Sequence, residues 1–176
     1  MDWIYHKKSA LTREQCEKYI WTFEDEKKEK FKGPINTLQA HFYDAINLNV
    51  SNCSFRDVLS ESLKEYSRLH PFLMKYDRWD YSEIANFQRY QPGQSYSEEH
   101  CEFFNHPEAG KRILAWMFYL NDIEDGGGTR FPQQDFTTTV ECGDLYIWPA
   151  HFTHTHYGLP AKNERKYIIT GWCSFI

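Results

Sequence analysis

The feature that most restricts the fold of this chain is a change of rhythm near residue 84. Before it, apolar residues recur at helical spacing. After it, short runs of β-branched and aromatic residues follow one another, each closed by turn residues. Thr12 and Gln15 form a capping-box start, and Cys16, Tyr19, Ile20 and Phe23 fall on one face of the helix that follows. The charged stretch from Glu24 to Lys32 carries that helix outwards and frays it into a solvated end and loop, and Gly33-Pro34 stops it. A second helix is expected from Ser54 to Leu69, with Val58, Leu59, Leu63 and Tyr66 at helical spacing. His70-Pro71 ends it, and a short helical piece from Phe72 to Tyr76 follows.

The second half reads as strands at Ile84–Tyr90, Tyr96–Glu102, Arg112–Leu120, Phe136–Val140, Leu145–Trp148 and Lys166–Cys173. Turns at Pro92-Gly93, Asp125 to Gly128 and Cys142-Gly143-Asp144 separate them. Helices first and closely spaced strands afterwards predict an α+β fold, with helices packed on an antiparallel sandwich or barrel. No repeat, linker or low-complexity segment interrupts the chain, so one domain is expected over residues 1–176. Residues 1–80 would give helical support and residues 84–176 the β core.

Composition removes several function classes. The formal net charge is −5 and the 20 basic residues form no block, which argues against a nucleic-acid surface. The longest apolar run, Ile113 to Leu120, falls far short of the roughly 18 residues of a membrane span. The start MDWIYHKKS lacks the apolar run of a secretory signal. The five cysteines are widely spaced with no CxxC pair, so neither a disulfide scaffold nor a structural zinc site is expected. A reducing, cytoplasmic setting follows, and it suits a ferrous centre.

The chemistry-bearing residues lie in the strand-rich half. His100 and Glu102 are two apart, so an extended backbone sends both side chains to the same face. Two imidazoles and one carboxylate hold Fe(II) facially and leave positions open. The second imidazole would come from the run WPAHFTHTHYG, which contains His151, His154 and His156. Any one of these histidines is equally well explained as a loop or core residue. Those that do not ligate could orient a ligand. Arg165-Lys166 precedes an apolar strand, and a cation drawn into such a pocket implies an anionic partner.

Taken together, the motifs resemble the 2-oxoglutarate and Fe(II)-dependent oxygenases, in particular the prolyl 4-hydroxylase-like branch with its small bacterial and phage members. The similarity spans roughly Ile84 to Trp172. Its pieces are FQRYQPGQSY, HCE at 100–102, YLND with GGGTRF, GDLYIWP, HTHYG and RKYIITGW, in that order. The resemblance implies a double-stranded β-helix, a jelly-roll, cupin-like barrel with N-terminal helices packed on one sheet. It implies His100 and Glu102 as metal ligands, with Glu102 standing where the family usually has aspartate. The family places a basic residue about ten positions after its distal histidine. Lys166 lies ten positions after His156, so His156 with Lys166 is the first choice, and His154 with Arg165 the alternative. By the same resemblance Tyr90, Tyr96, Thr129 and Trp172 would line the co-substrate pocket. Arg130 and Trp148 are candidates for the substrate side.

The implied activity is hydroxylation of an unactivated C–H bond using Fe(II), 2-oxoglutarate and O2, with release of succinate and CO2. A peptidyl proline is the suggested substrate class, and ascorbate a candidate reductant. Two other readings fit some of the residues. One is a cupin-like metal enzyme that uses the same triad without 2-oxoglutarate. The other is a non-enzymatic module that holds a peptide on its aromatic residues.

Overall fold

The computed structural model describes residues 3–25, 30–32, 38–42, 54–75, 78–81 and 85–176. Among them are two α-helices, α1 (Arg13–Glu24) and α2 (Phe55–Leu69). The strands are β1 (Tyr5–Lys7), β2 (Phe31–Lys32), β3 (Leu38–Phe42), β4 (Trp79–Tyr81), β5 (Ala85–Tyr90) and β6 (Arg112–Tyr119). They continue with β7 (Thr129–Phe131), β8 (Phe136–Thr137), β9 (Leu145–Pro149), β10 (Tyr157–Gly158) and β11 (Lys166–Phe175).

Both helices start as their sequences dictate. Thr12 and Ser54 each accept a hydrogen bond from the backbone three residues on, and Gln15 and Asp57 bond back to the cap N–H groups. Helix α1 ends at Glu24, where the charged stretch begins. Glu24 turns to the sheet, where its carboxylate accepts from Arg89 at 2.8 Å and from the Tyr167 hydroxyl at 2.8 Å. Phe31 and Lys32 then form a strand. Gly33-Pro34, Tyr76 and Ile84, named above as element boundaries, lie outside the described residues. Helix α2 matches its expected span, and a 3-10 turn over Pro71–Lys75 follows it.

The large sheet runs in the order β1-β9-β6-β11-β5-β3-β2, with β4 paired to the far end of β11 beyond β5. A smaller sheet has the order β10-β7-β8. The pairings are antiparallel throughout, and β6 joins β9 and β11, both remote from it in sequence. From β6 the chain passes to β7 and β8 in the smaller sheet, back to β9, out to β10 and back to β11, the double-stranded β-helix that the resemblance implied.

Several strands were not anticipated. β1, β2, β3 and β4 come from the half read as helical, and β1 and β4 are three residues each, too short for a period-two pattern. β7 and β10 are equally short. The reverse holds for Tyr96–Glu102, which is not a strand. Among the described residues its one bridge joins His100 to His156, Tyr96 accepts a single further backbone bond from Gly158 of β10, and Ser97, Glu98 and Glu99 between them face solvent.

Strand alternation sorts the side chains into two cores. Leu114, Trp116 and Phe118 of β6 face the helices together with Phe87, Leu145, Ile147 and Ile169. Ala115, Met117 and Tyr119 face the smaller sheet with Tyr90, Tyr146, Trp148 and Ile168, and Phe131 of β7 meets them there. Because both faces of β6 are covered, its sequence is continuously apolar. On the helix side Phe23 of α1 stacks on Phe87 at 4.5 Å and meets Tyr167 edge-on at 6.4 Å. The tight turn before β9 depends on Gly143, whose φ is +89° and where a Cβ would lie 2.1 Å from the Leu11 carbonyl oxygen. Cys16, Cys101, Cys142 and Cys173 are free thiols, and no described helix is long and apolar enough to cross a membrane.

Phe23 is fully buried and joins α1 to β5 and β11 of the sheet core. Phe23→Ala is expected to cost about 3–5 kcal/mol of stability, read by chemical denaturation. Trp21→Ala on the exposed side of the same helix should cost under about 1 kcal/mol.

Candidate metal centre

The inward faces of β5 and β11 form one wall of a cavity of about 600 Å³ between the two sheets. Asn86, Gln88 and Tyr90 of β5 alternate inward opposite Lys166, Ile168, Thr170 and Trp172 of β11. The other wall comes from loops. The segments around His100 and His156 are zipped by two backbone bonds, His100 N–H to the His156 carbonyl at 3.0 Å and the reverse at 2.9 Å. The Glu102 N–H bonds to the Ala150 carbonyl at 3.0 Å and pins the far end. These bonds, rather than strand geometry, bring the two histidines face to face.

His100, Glu102 and His156 each offer a ligand atom within 4.8 Å of the others, a set that could hold a metal ion. Glu102 Oε1 lies 3.6 Å from Nε2 of both histidines, so the longer acid reaches the same point in space as the imidazoles. Each ring is oriented from behind. Nδ1 of His100 lies 2.8 Å from the Glu98 carbonyl and Nδ1 of His156 2.9 Å from the His154 carbonyl. Carbonyls accept only, so Nδ1 carries the proton and the Nε2 lone pair faces the cluster. Burial pushes the Glu102 carboxyl up, but the two imidazoles override it and hold the group well below the ordinary carboxylate range. His100 shows the converse. Burial lowers it, and Glu102 and the Glu98 carbonyl bring its net shift upwards. The other Glu102 oxygen, Oε2, accepts from the Trp172 indole N–H at 2.8 Å, with Arg112 at 3.4 Å.

Deeper in the cavity, Lys166 is buried with only 3% exposure. Its ammonium donates to the Gly127 carbonyl at 3.0 Å and sits 4.7 Å from the Tyr90 ring. No carboxylate among the described residues pairs with it, and burial pushes its pKa down to about 8. The Gly126-Gly127 turn that presents this carbonyl needs positive φ at both residues, and a Cβ at Gly126 would lie 2.2 Å from the Pro160 oxygen. Beside it the buried Tyr119 hydroxyl links the Thr129 hydroxyl at 3.1 Å and that of Thr138 at 2.7 Å. Thr129 borders the cavity.

The structure thus gathers His100, Glu102, His156, Tyr90, Tyr96, Thr129, Lys166 and Trp172 around one cavity. Tyr96 lies against the His100 ring at 4.3 Å. His154 is buried elsewhere, with Nδ1 3.0 Å from the Thr153 hydroxyl. Arg165 is exposed and donates to Gln91 at 3.1 Å. Arg130 pairs with Asp135 on the smaller sheet and does not border the cavity. Trp148 borders it as a buried wall, 5.2 Å from the His156 ring. Sequence reasoning missed Asn86, Gln88 and Thr170, although alternation outward from Tyr90 and Lys166 was signal enough. It also missed Arg112, for which no local signal exists.

The family model described as the 2OG-Fe(II) oxygenase superfamily matches residues 85–174. A probable prolyl 4-hydroxylase 9 of Arabidopsis thaliana is 39% identical over 118 residues, covering 52% of this chain and 41% of that protein. A putative prolyl 4-hydroxylase of Acanthamoeba polyphaga mimivirus is 30% identical over 111 residues, covering 53% and 46%. The chain therefore spans less than half the length of these relatives. Among solved structures, the viral collagen prolyl hydroxylase of Paramecium Bursaria Chlorella virus-1 superposes with a TM-score of 0.75 at 19% identity, covering 99% of this chain and 97% of that one. A prolyl-4-hydroxylase of Pseudomonas putida gives 0.73 at 15% identity, covering 99% and 93%. At these identities the likeness speaks for the fold.

If the cluster holds a metal, His156→Ala should weaken Co(II) or Fe(II) binding by more than the roughly 10–100-fold that loss of an outer partner costs. His154→Ala should fall below that range, because its contribution is a backbone carbonyl that alanine also supplies. Titration of the metal-free protein reads both.

Proposed function

The chain belongs to the 2OG-Fe(II) oxygenase superfamily, and from that premise we propose that it hydroxylates an unactivated C–H bond with Fe(II), 2-oxoglutarate and O2. The observation that carries this reading is the pairing, in one cavity, of a His/Glu/His cluster with a buried lysine that has no acidic partner among the described residues. The donor set suits Fe(II), and the lone cation suits the far carboxylate of a dicarboxylate. We read the chain as one oxygenase domain, helices and strands of residues 1–80 bracing the β core of residues 84–176.

His100, Glu102 and His156 would hold the iron. When bound, iron with 2-oxoglutarate and O2 supplies the oxidising power, and the co-products are succinate and CO2. The residues of the chain do the rest. Lys166 and the Thr129 hydroxyl fix the far end of the co-substrate, and Tyr90 packs beside the ammonium. Asn86, Gln88 and Thr170 offer polar groups along its length, while Met117, Ile168 and Trp148 keep the inner end of the cavity dry. The Nδ1–H bonds of both histidines hold their rings with Nε2 turned inward, so no ligand has to reorient.

The substrate enters from the mouth, where Phe104 borders the cavity and Phe103 stacks on His151 at 4.5 Å. The named activities of the relatives make a peptidyl proline the substrate class we propose. The buried lysine favours this reading over a triad enzyme without 2-oxoglutarate. The inward-facing Nε2 atoms favour it over a module that only holds peptides.

Anaerobic addition of 2-oxoglutarate to the Fe(II)-loaded protein is expected to give a visible charge-transfer band. Absence of the band, with no succinate above the metal-free background, would refute the reading. Lys166→Ala should weaken 2-oxoglutarate binding roughly ten- to a hundredfold while leaving metal affinity unchanged.

The pH dependence has a definite sign. Burial lowers the lysine to about 8, and the dicarboxylate needs its charged form. Binding should thus be full at lower pH and weaken about tenfold per unit once pH rises past about 8. In Lys166→Arg, where the cation cannot be deprotonated, that slope should vanish whatever the absolute affinity.

A further inference from the structure

The two oxygens of Glu102 have different neighbours. Oε1 faces the Nε2 atoms of His100 and His156, 3.6 Å from each. Oε2 faces away from them and accepts the indole N–H of Trp172 at 2.8 Å, with an Arg112 nitrogen at 3.4 Å. The same arginine nitrogen donates to the Glu102 backbone carbonyl at 3.2 Å, and the guanidinium lies over the Trp172 ring 3.6 Å from its centroid. Glu102, Trp172 and Arg112 therefore form a closed triangle in which each member holds the other two.

This triangle bears on a difficulty specific to glutamate. Carboxylates bind metals through one oxygen or both, and a longer, freer arm swings more easily into the two-oxygen mode. A facial triad works because three positions remain open, two for the chelating co-substrate and one for oxygen. A second glutamate oxygen on the metal would take one of them. An N–H bond that engages Oε2 from the opposite side competes directly with that outcome.

We propose that Trp172 and Arg112 are positioning residues that restrict Glu102 to one-oxygen donation, keeping Oε1 for the metal and Oε2 for the indole N–H. The inference rests on the metal-site reading above. Trp172 supplies the competing hydrogen bond. Arg112 fixes the plane of the indole by lying on it and anchors the backbone of Glu102 itself. Glutamate at this position is thereby made to act as a shorter acid would, with one oxygen committed outside the metal sphere.

The test uses the full chain loaded with Zn(II), which is redox-silent and accepts His and carboxylate ligands. In infrared difference spectra against the metal-free protein, the two carboxylate stretches are widely separated for one-oxygen binding and closer for two-oxygen binding. Glu102→Gln identifies which bands belong to this residue. Wide separation is expected in the unaltered chain and a narrower one in Trp172→Phe, which keeps a ring for Arg112 but loses the N–H. The same variant should bind 2-oxoglutarate at least tenfold more weakly. Introducing Trp172→Phe into a Glu102→Asp background should cost less than threefold, because the shorter acid gains no second oxygen on the metal.

Equal separations in the unaltered chain and Trp172→Phe would overturn the proposal while leaving the metal site standing. Failure of the unaltered chain to take up Zn(II), or bands unmoved by Glu102→Gln, would sink both. Should Trp172→Phe not fold, Arg112→Gln serves in its place. Removing the stacked cation should narrow the separation in the same direction, and an unchanged spectrum there counts against the clamp.

Discussion

The structure depends on a sheet whose two faces must both be dry, one against helices and the other against a second sheet. In such a sheet consecutive residues of one strand serve different masters. Phe87 packs on Phe23 while Gln88 faces the cavity, and Tyr167 bonds to Glu24 while Lys166 is drawn inward. The register between β5 and β11 sets Lys166 opposite Tyr90, which places cation and ring together without any local motif. A one-residue slip would exchange every pair, sending the lysine into the helix core and the phenylalanines into the cavity. Helix packing therefore fixes the site as firmly as the site residues do.

Charge is used sparingly within that frame. A buried ammonium is costly, and among the described residues Lys166 has a backbone carbonyl and the face of Tyr90, but no carboxylate, to offset its desolvation. Burial of Glu102 is offset more fully, by two imidazoles, an indole N–H and a guanidinium. The asymmetry is informative. The carboxylate is already held where two other donors converge, whereas the ammonium is a charge in search of a partner. A preorganised carboxylate and an under-satisfied ammonium at opposite ends of one cavity are the arrangement on which the proposed binding of a chelating dianion rests.

How much of this was legible in the sequence follows from the range of each interaction. The caps of α1 and α2 are three-residue devices, and Thr12–Gln15 and Ser54–Asp57 announce them directly. The apolar run of β6 signals two-sided burial. The plus-ten spacing from His156 to Lys166 draws its meaning from the resembled family, and the structure brings both residues to the cavity. Strands of two or three residues, such as β7 and β10, are too short to carry a period and were invisible. Tyr96 to Glu102 misled for a related reason. Its alternation mimics a strand, but alternation needs a partner to become a ladder, and the segment has one bridge. His100 and Glu102 still converge because the Ala150 carbonyl and the His156 backbone pin the loop.

The contacts around Glu102 show where sequence reading reaches its limit. Arg112 is ten residues away and Trp172 seventy, and neither spacing carries a rule. What the sequence does show is the anomaly, a longer acid where the resembled family has a shorter one. An extra methylene displaces a carboxylate by more than an ångström and frees one more torsion, so the substitution is tolerable only where the surroundings absorb both changes. Here the absorption is visible atom by atom. One oxygen stays at the convergence of two imidazoles, and the surplus reach is taken up by an indole N–H that is itself clamped under a guanidinium. Read in that direction, the departure from the usual residue points to the groups that compensate for it.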